Sequence, residues 1–194
     1  MTNVPGYEVS GILISREEIA ERVRELGRQI SEDYRGKTIF AVGILKGSMV
    51  FMADLIREIE GDVEIDFLSV SSYGNATTST GNVRITKDMD TSPSGKNILI
   101  IEDIIDTGNT LKYLKDVYLS GKGAESVKIV TLLDKPARRK ADIHADYIGF
   151  EVEDVFIVGY GLDYAQKYRE LPDIAYLEKA KKPEDEERTV RIIV

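Results

Sequence analysis

Asn97-Ile98-Leu99-Ile100-Ile101-Glu102-Asp103-Ile104-Ile105-Asp106-Thr107-Gly108-Asn109-Thr110-Leu111 is the stretch on which the fold turns. Its unbroken apolar run, Ile98 to Ile101, has the composition of a strand buried on both faces, as in a parallel sheet with helices on either side. Glu102 and Asp103 fall where that strand is expected to end. Beyond the loop the period changes: Leu111, Leu114 and Tyr118 recur at helical spacing, and Gly121 stands where such a helix would stop.

A loop that opens a helix offers unpaired backbone N–H groups and the positive end of the helix dipole. Gly108 lets the main chain approach an anion, and Thr107 and Thr110 add hydroxyl donors, so the loop is a cradle for a phosphate. Glu102 and Asp103 are not phosphate ligands, because like charges repel. They suit a divalent cation, or the hydroxyls of a sugar attached to that phosphate. One acid and one cap alone would read as an acidic strand end followed by an Asp N-cap; the whole run points to a sugar phosphate with a metal. No Lys follows a glycine ahead of Ser or Thr, so this is not a Walker A loop.

The run Glu102 to Thr110 resembles the phosphoribosyl-pyrophosphate motif of type I phosphoribosyltransferases, and is most similar to their purine-salvage branch. The resemblance extends over about Leu13 to Leu177. It implies a central, mostly parallel sheet flanked by helices, with a small hood built from the N-terminal segment and residues of about 150–177. It implies transfer of the 5-phosphoribosyl group from phosphoribosyl pyrophosphate to hypoxanthine or guanine, with Mg²⁺ as cofactor. Ile105, Asp106, Thr107, Gly108, Asn109 and Thr110 would hold the 5-phosphate, the Asn109 side chain being dispensable. Glu102 and Asp103 would hold the ribose hydroxyls, and Asp106 would be the general base. Oligomers, dimers or tetramers, are usual in the family. A xanthine-preferring enzyme and an RNA-binding regulator that senses the same ribose donor are the alternatives on this fold.

Working outward, Thr38 to Leu45 is a strand, and Met49, Met52, Leu55, Ile56 and Ile59 mark a helix. Between them Lys46-Gly47-Ser48 reads as an ordinary turn with a surface lysine; the resemblance makes Leu45, Lys46 and Gly47 a pyrophosphate loop whose first peptide can be cis. Upstream, Ser15 and Glu18 form a capping box, and Ile19, Val23, Leu26 and Ile30 line one face of the helix they start. Val63 to Val70 is a further strand. The long polar segment of residues 71–93 reads as a lid or binding loop, with a brief strand at Val83 to Thr86, and Ser72, Tyr73 and Gly74 match the start of the family's mobile loop. Val127 to Leu133 is another buried strand, ending at Asp134-Lys135-Pro136, where Lys135 reads as a solvated lysine before a turn, although a donor at a strand's carboxyl end can reach a ligand carbonyl; the resemblance favours the second. Arg138-Arg139-Lys140 and His144 read as surface.

Tyr147 to Phe150 and Val155 to Tyr160 are β-like. The resemblance gives the purine to Lys135, Phe156, Ile157 and Asp163, gives Asp163 a share of the metal with Glu102 and Asp103, and gives Arg169 the pyrophosphate. Residues 178–194 form a charged tail after a single domain of residues 1–177, with Thr189 to Val194 a possible short strand.

Composition limits the rest. The 194-residue chain is 42% hydrophobic, enough for one core, and has no cysteine for disulfide or thiol chemistry. It has no apolar run long enough to span a membrane and no signal-like start, so a cytoplasmic protein is expected. Its 26 basic against 34 acidic residues give a net charge of −8, which argues against nucleic-acid binding. Any anionic substrate must then be held by local donors.

Overall fold

The computed structural model describes residues 4–72 and 83–180. The elements are β1 (Tyr7–Ile14), α1 (Arg16–Asp33), β2 (Ile39–Leu45), α2 (Met49–Glu58), β3 (Val63–Ser72), β4 (Val83–Lys87), β5 (Asn97–Ile105), α3 (Asn109–Lys112), β6 (Ser126–Asp134), β7 (Tyr147–Glu151), β8 (Ile157–Val158) and β9 (Ile174–Lys179). Six strands form one sheet in the order β4-β3-β2-β5-β6-β7. All its neighbours are parallel except β4, which runs antiparallel on the edge of β3. A second, three-stranded antiparallel sheet, β1-β9-β8, joins the chain's early and late segments into a hood.

The reason for the main sheet is legible in β5. Leu99 and Ile101 pack with α1 and α2 on one face, while Ile98 and Ile100 pack with Leu111, Leu114 and Leu119 on the other. Each such side chain contributes about 1.5–3 kcal/mol by leaving water, so a strand apolar on both faces belongs in the centre. α1 is started by the expected capping box, in which Ser15 and Glu18 satisfy each other's backbone N–H, and it buries Ile19, Val23, Leu26 and Ile30. Among the described residues no helix is long and apolar enough to cross a membrane.

Two expectations need correction. β5 does not end at the acids but continues through Ile105, because Ile104 and Ile105 pair with Leu133 and Asp134 of β6 and Ile105 is buried. Glu102 and Asp103 are therefore held inside a strand rather than on a loop. The helix after the loop is α-helical only to Lys112 and is π-wound over Tyr113–Leu119. The wider winding adds Leu119, five residues after Leu114, to the core, with Tyr118 packed half-buried against it. Tyr73, Gly74 and the tail strand at Thr189 to Val194 lie outside the described residues; Ser72 is the last residue of β3.

Candidate active site

The chain leaves β2 to form β3 on one side and later returns to place β5 on the other. That reversal opens a crevice beyond the carboxyl ends of β2 and β5, where ligands bind in open α/β sheets. The segments that meet there are the loop Leu45-Lys46-Gly47 and the end of β5 with its following loop, Glu102 to Thr110. A cavity of about 250 Å³ is lined by Ile44, Leu45, Glu102, Asp106, Thr107 and Thr110 among others. A larger one, about 630 Å³, lies near the amino ends of the strands among Arg28, Arg35, Lys37 and the acids Glu32, Glu58, Glu60 and Asp62. It is at the wrong end of the sheet for this chemistry.

In the first loop the Leu45–Lys46 peptide is cis. Gly47 lies hard against Asp103: a Cβ there would stand 1.6 Å from Asp103 Oδ2. The Gly47 carbonyl in turn meets Gly161, whose φ is +99°. The Gly161 carbonyl accepts from Arg169 NH1 at 2.6 Å, and Arg169 NH2 pairs with Asp163 Oδ1 at 2.6 Å. Asp163 Oδ2 accepts from the Gln166 N–H at 2.8 Å, and Gln166 Oε1 accepts from Lys46 Nζ at 3.1 Å. The two glycines thus let β5, the β2 loop and the hood interlock, and bring Lys46, Asp103, Asp163 and Arg169 together.

In the second loop Gly108 caps α3 with φ +80°. Among the described residues nothing accepts from the backbone N–H groups of Asp106, Thr107 or Gly108. The loop is held from its other side, where the Lys140 and Ala141 N–H groups both donate to the Thr107 carbonyl at 3.0 Å. Arg139 NH1 donates to the Asp106 carbonyl at 2.8 Å while NH2 pairs with the Asp134 carboxylate. Arg138 Nε pairs with the Asp106 carboxylate. Arg138 and Lys140 are exposed, as the sequence reads, although Arg138 is tied to Asp106, while Arg139 is folded under the loop. Two consecutive arginines after a Lys-Pro turn carry no signal that separates a solvated run from one folded under a neighbouring loop.

Glu102 and Asp103 are half-buried as residues, yet Glu102 Oε2 is fully enclosed and without a hydrogen-bond partner among the described residues. Burial, and then the Asp103 charge, push the Glu102 carboxyl well above the usual carboxylate range. Burial also raises Asp103, to about 6, against the opposing effects of the Ile104 N–H and the Arg169 guanidinium. An enclosed acid oxygen without a donor fits a ligand that brings hydroxyls or a cation. Among the described residues no three His, Cys, Asp or Glu side chains converge as a metal cage. Glu102, Asp103 and Asp163 therefore do not preassemble the expected trio, Asp163 being engaged by Arg169. A divalent ion here would be completed by substrate oxygens, as suits a hard cation that keeps few protein ligands.

The raised pair has a consequence for stability. Both carboxyls bind protons more tightly folded than unfolded, so their contribution to stability is greatest in acid and is lost as pH rises from about 4 to about 6 and above. Glu102→Gln removes one charge. It is expected to raise the melting temperature at pH 8 and to lose that advantage at pH 4. Thermal denaturation of both proteins at the two pH values checks this; a gap that does not shrink in acid would refute it.

The remaining sequence-derived residues line the hood side. Lys135 is buried, donates from Nζ to the Val155 carbonyl at 2.6 Å, and has its pKa lowered chiefly by burial. Phe156 is 53% exposed, set edge-on to Tyr164 at 5.4 Å, so it is not a core residue. Ile157 is buried but lies on β8, the edge of the hood sheet, where among the described residues one side of its backbone is left unpaired by strands.

The family model for the phosphoribosyl transferase domain matches residues 13–165. The chain is 56% identical to the hypoxanthine-guanine phosphoribosyltransferase of Bacillus subtilis over 174 residues, which is 90% of this chain and 96% of that protein. It is 51% identical over 170 residues, 88% of this chain, to the bifunctional protein TilS/HprT of Listeria monocytogenes, of whose length it spans 26%. The crystal structure of a hypoxanthine-guanine phosphoribosyltransferase from Bacillus anthracis superposes with a TM-score of 0.83 at 49% identity, covering 89% of this chain and 99% of that one.

Proposed function

This chain belongs to the phosphoribosyl transferase family, and from that premise we propose that it is a purine-salvage enzyme. It transfers the 5-phosphoribosyl group of phosphoribosyl pyrophosphate to hypoxanthine or guanine, giving the nucleoside monophosphate and pyrophosphate. The observation that supports this most directly is the junction of β5 and α3. Amides of an anion cradle, unpaired among the described residues, follow closely on two half-buried acids, one with an enclosed oxygen, at the sheet's switch point.

The roles follow from charge. The amides of residues 106–110 and the hydroxyls of Thr107 and Thr110 hold the 5-phosphate. Glu102 and Asp103 accept from the ribose hydroxyls, which favour their ionised forms, and so balance the positive charge that grows on the sugar as its bond to pyrophosphate breaks. The Leu45-Lys46-Gly47 amides and Arg169 hold the departing pyrophosphate; for Arg169 this means exchanging the Asp163 carboxylate for a phosphate oxygen. Asp106 takes the proton from the purine ring nitrogen that attacks the sugar. Phe156 offers its exposed ring to the purine face and Ile157 its backbone to the purine edge. Glu102, Asp103 and Asp163 would hold Mg²⁺, which would supply charge neutralisation of the pyrophosphate.

Lys135 donates to the purine 6-oxo group, and a donor facing an amino group gains nothing. Lys135→Met is expected to lower kcat/KM for hypoxanthine and guanine about 10–100-fold, the worth of a charged hydrogen bond of about 1.5–3 kcal/mol. Its residual preference for them over adenine should narrow. One coupled assay tests both function and specificity: the protein, the ribose donor and Mg²⁺ are mixed with hypoxanthine, guanine, xanthine or adenine, and pyrophosphate release is followed. Absence of release with every 6-oxopurine would overturn the assignment.

A further inference from the structure

Arg138 stands on the short 3-10 turn Pro136–Arg138 that follows β6. Its Nε pairs with Asp106 Oδ1, while its NH1 lies 3.3 and 3.4 Å from the two oxygens of Asp154. Asp154 Oδ1 is also 3.9 Å from Lys135 Nζ. A line of alternating charges, Asp106–Arg138–Asp154–Lys135, therefore joins the group that would take the purine's proton to the group that would read its 6-oxo oxygen. Arg139 holds the main chain of Asp106 in the same place. The second carboxylate oxygen of Asp106 has no partner among the described residues.

We infer that Arg138 is a positioning residue for Asp106, on the reading that Asp106 is the base of a phosphoribosyl transfer. A base works when one atom is fixed by an orienting partner and another is free to receive the proton. That is the state of Asp106: Oδ1 is anchored, Oδ2 is open. Arginine suits the task because its planar fork contacts two carboxylates at once, which a point charge cannot do. Stability does not account for the contact. The side chains of Arg138, Asp106 and Asp154 are 45%, 44% and 52% exposed, and ion pairs so open to solvent contribute little.

The test is a double-mutant cycle read in single turnover, with wild-type, Arg138→Ala, Arg138→Gln, Asp106→Asn and the double variant Arg138→Ala/Asp106→Asn. Arg138→Ala and Arg138→Gln are each expected to slow the chemical step about 10-fold, less than the roughly 100-fold that a 1 Å misplacement costs. The KM for the ribose donor and the melting temperature should stay close to wild type. On the Asp106→Asn background, removal of Arg138 should cost nothing further, since an orienting residue acts only through the group it orients. Equal losses in both backgrounds, or an unchanged chemical step with a raised KM, would overturn the positioning role while leaving the reaction standing. A wild-type protein that makes no nucleotide would overturn the reaction and this role with it.

Discussion

Asp106→Asn is expected to retain the ribose donor and lose its turnover. The amide has the size and shape of the carboxylate, and its oxygen can still accept from Arg138, so the loop keeps its form. The donors proposed for the phosphate are main-chain N–H groups, which the substitution leaves alone. What disappears is the basic oxygen that would take the ring-nitrogen proton as the new glycosidic bond forms. General bases contribute about 10²–10⁴-fold to rate, and a loss in kcat of that order is expected. Calorimetry should show the affinity for phosphoribosyl pyrophosphate with Mg²⁺ little altered, and rapid quench should show the loss in the chemical step. Full kcat across the pH range would remove Asp106 from the chemistry. Loss of donor affinity with kcat kept would make it part of the phosphate cradle alone.

This pairing of a legible loop with hidden supports runs through the whole site. The apolar run of β5 announces a central strand, and the acid–loop–helix order after it announces an anion cradle, because both depend on residues adjacent in sequence. The end of β5 is not legible locally, because strand continuation depends on Leu133 and Asp134, partners on β6 that no local pattern reveals. The winding of the following helix is hidden for a related reason. Spacing of apolar residues by three and four specifies a helical face, but the burial of Leu119 beside a half-buried Tyr118 is decided by the core they pack into. Arg138 and Arg139 were hidden most completely: their partners Asp106 and Asp134 lie on other loops, and an arginine's sequence neighbours do not record where its guanidinium points. The interlock of Gly47 with Gly161 is intermediate. Glycine in a strand–helix turn is a visible signal for a close approach, but what approaches is set by the fold.

That interlock carries the other large expected effect. Gly161→Ala should destabilise the protein and impair pyrophosphate recognition together. A Cβ at residue 161 would stand 2.1 Å from the Gly47 carbonyl oxygen, a main-chain atom that cannot rotate aside, at a φ of +99° that side-chain-bearing residues rarely adopt. Backbone strain of this kind costs about 1–3 kcal/mol and overpacking another 1–3 kcal/mol or so. For a chain of this size that corresponds to a fall in melting temperature on the order of 10 °C. Relief requires the hood segment to withdraw from the β2 loop. Because Gly161 also donates its N–H to the Arg169 carbonyl at 3.0 Å and accepts from the Arg169 side chain, withdrawal carries the proposed clamp away from Lys46 and Gly47. The KM for the ribose donor and the inhibition constant for pyrophosphate should therefore rise together, on the order of 10-fold, a loss of about 1.4 kcal/mol. Gly121→Ala is the matched control: its Cβ meets nothing within 4 Å, and alanine near a helix end is tolerated at least as well as glycine. If Gly161→Ala melts and binds pyrophosphate as Gly121→Ala does, the two loops are not mechanically joined, and the contact through which the hood reaches the β2 loop must lie elsewhere.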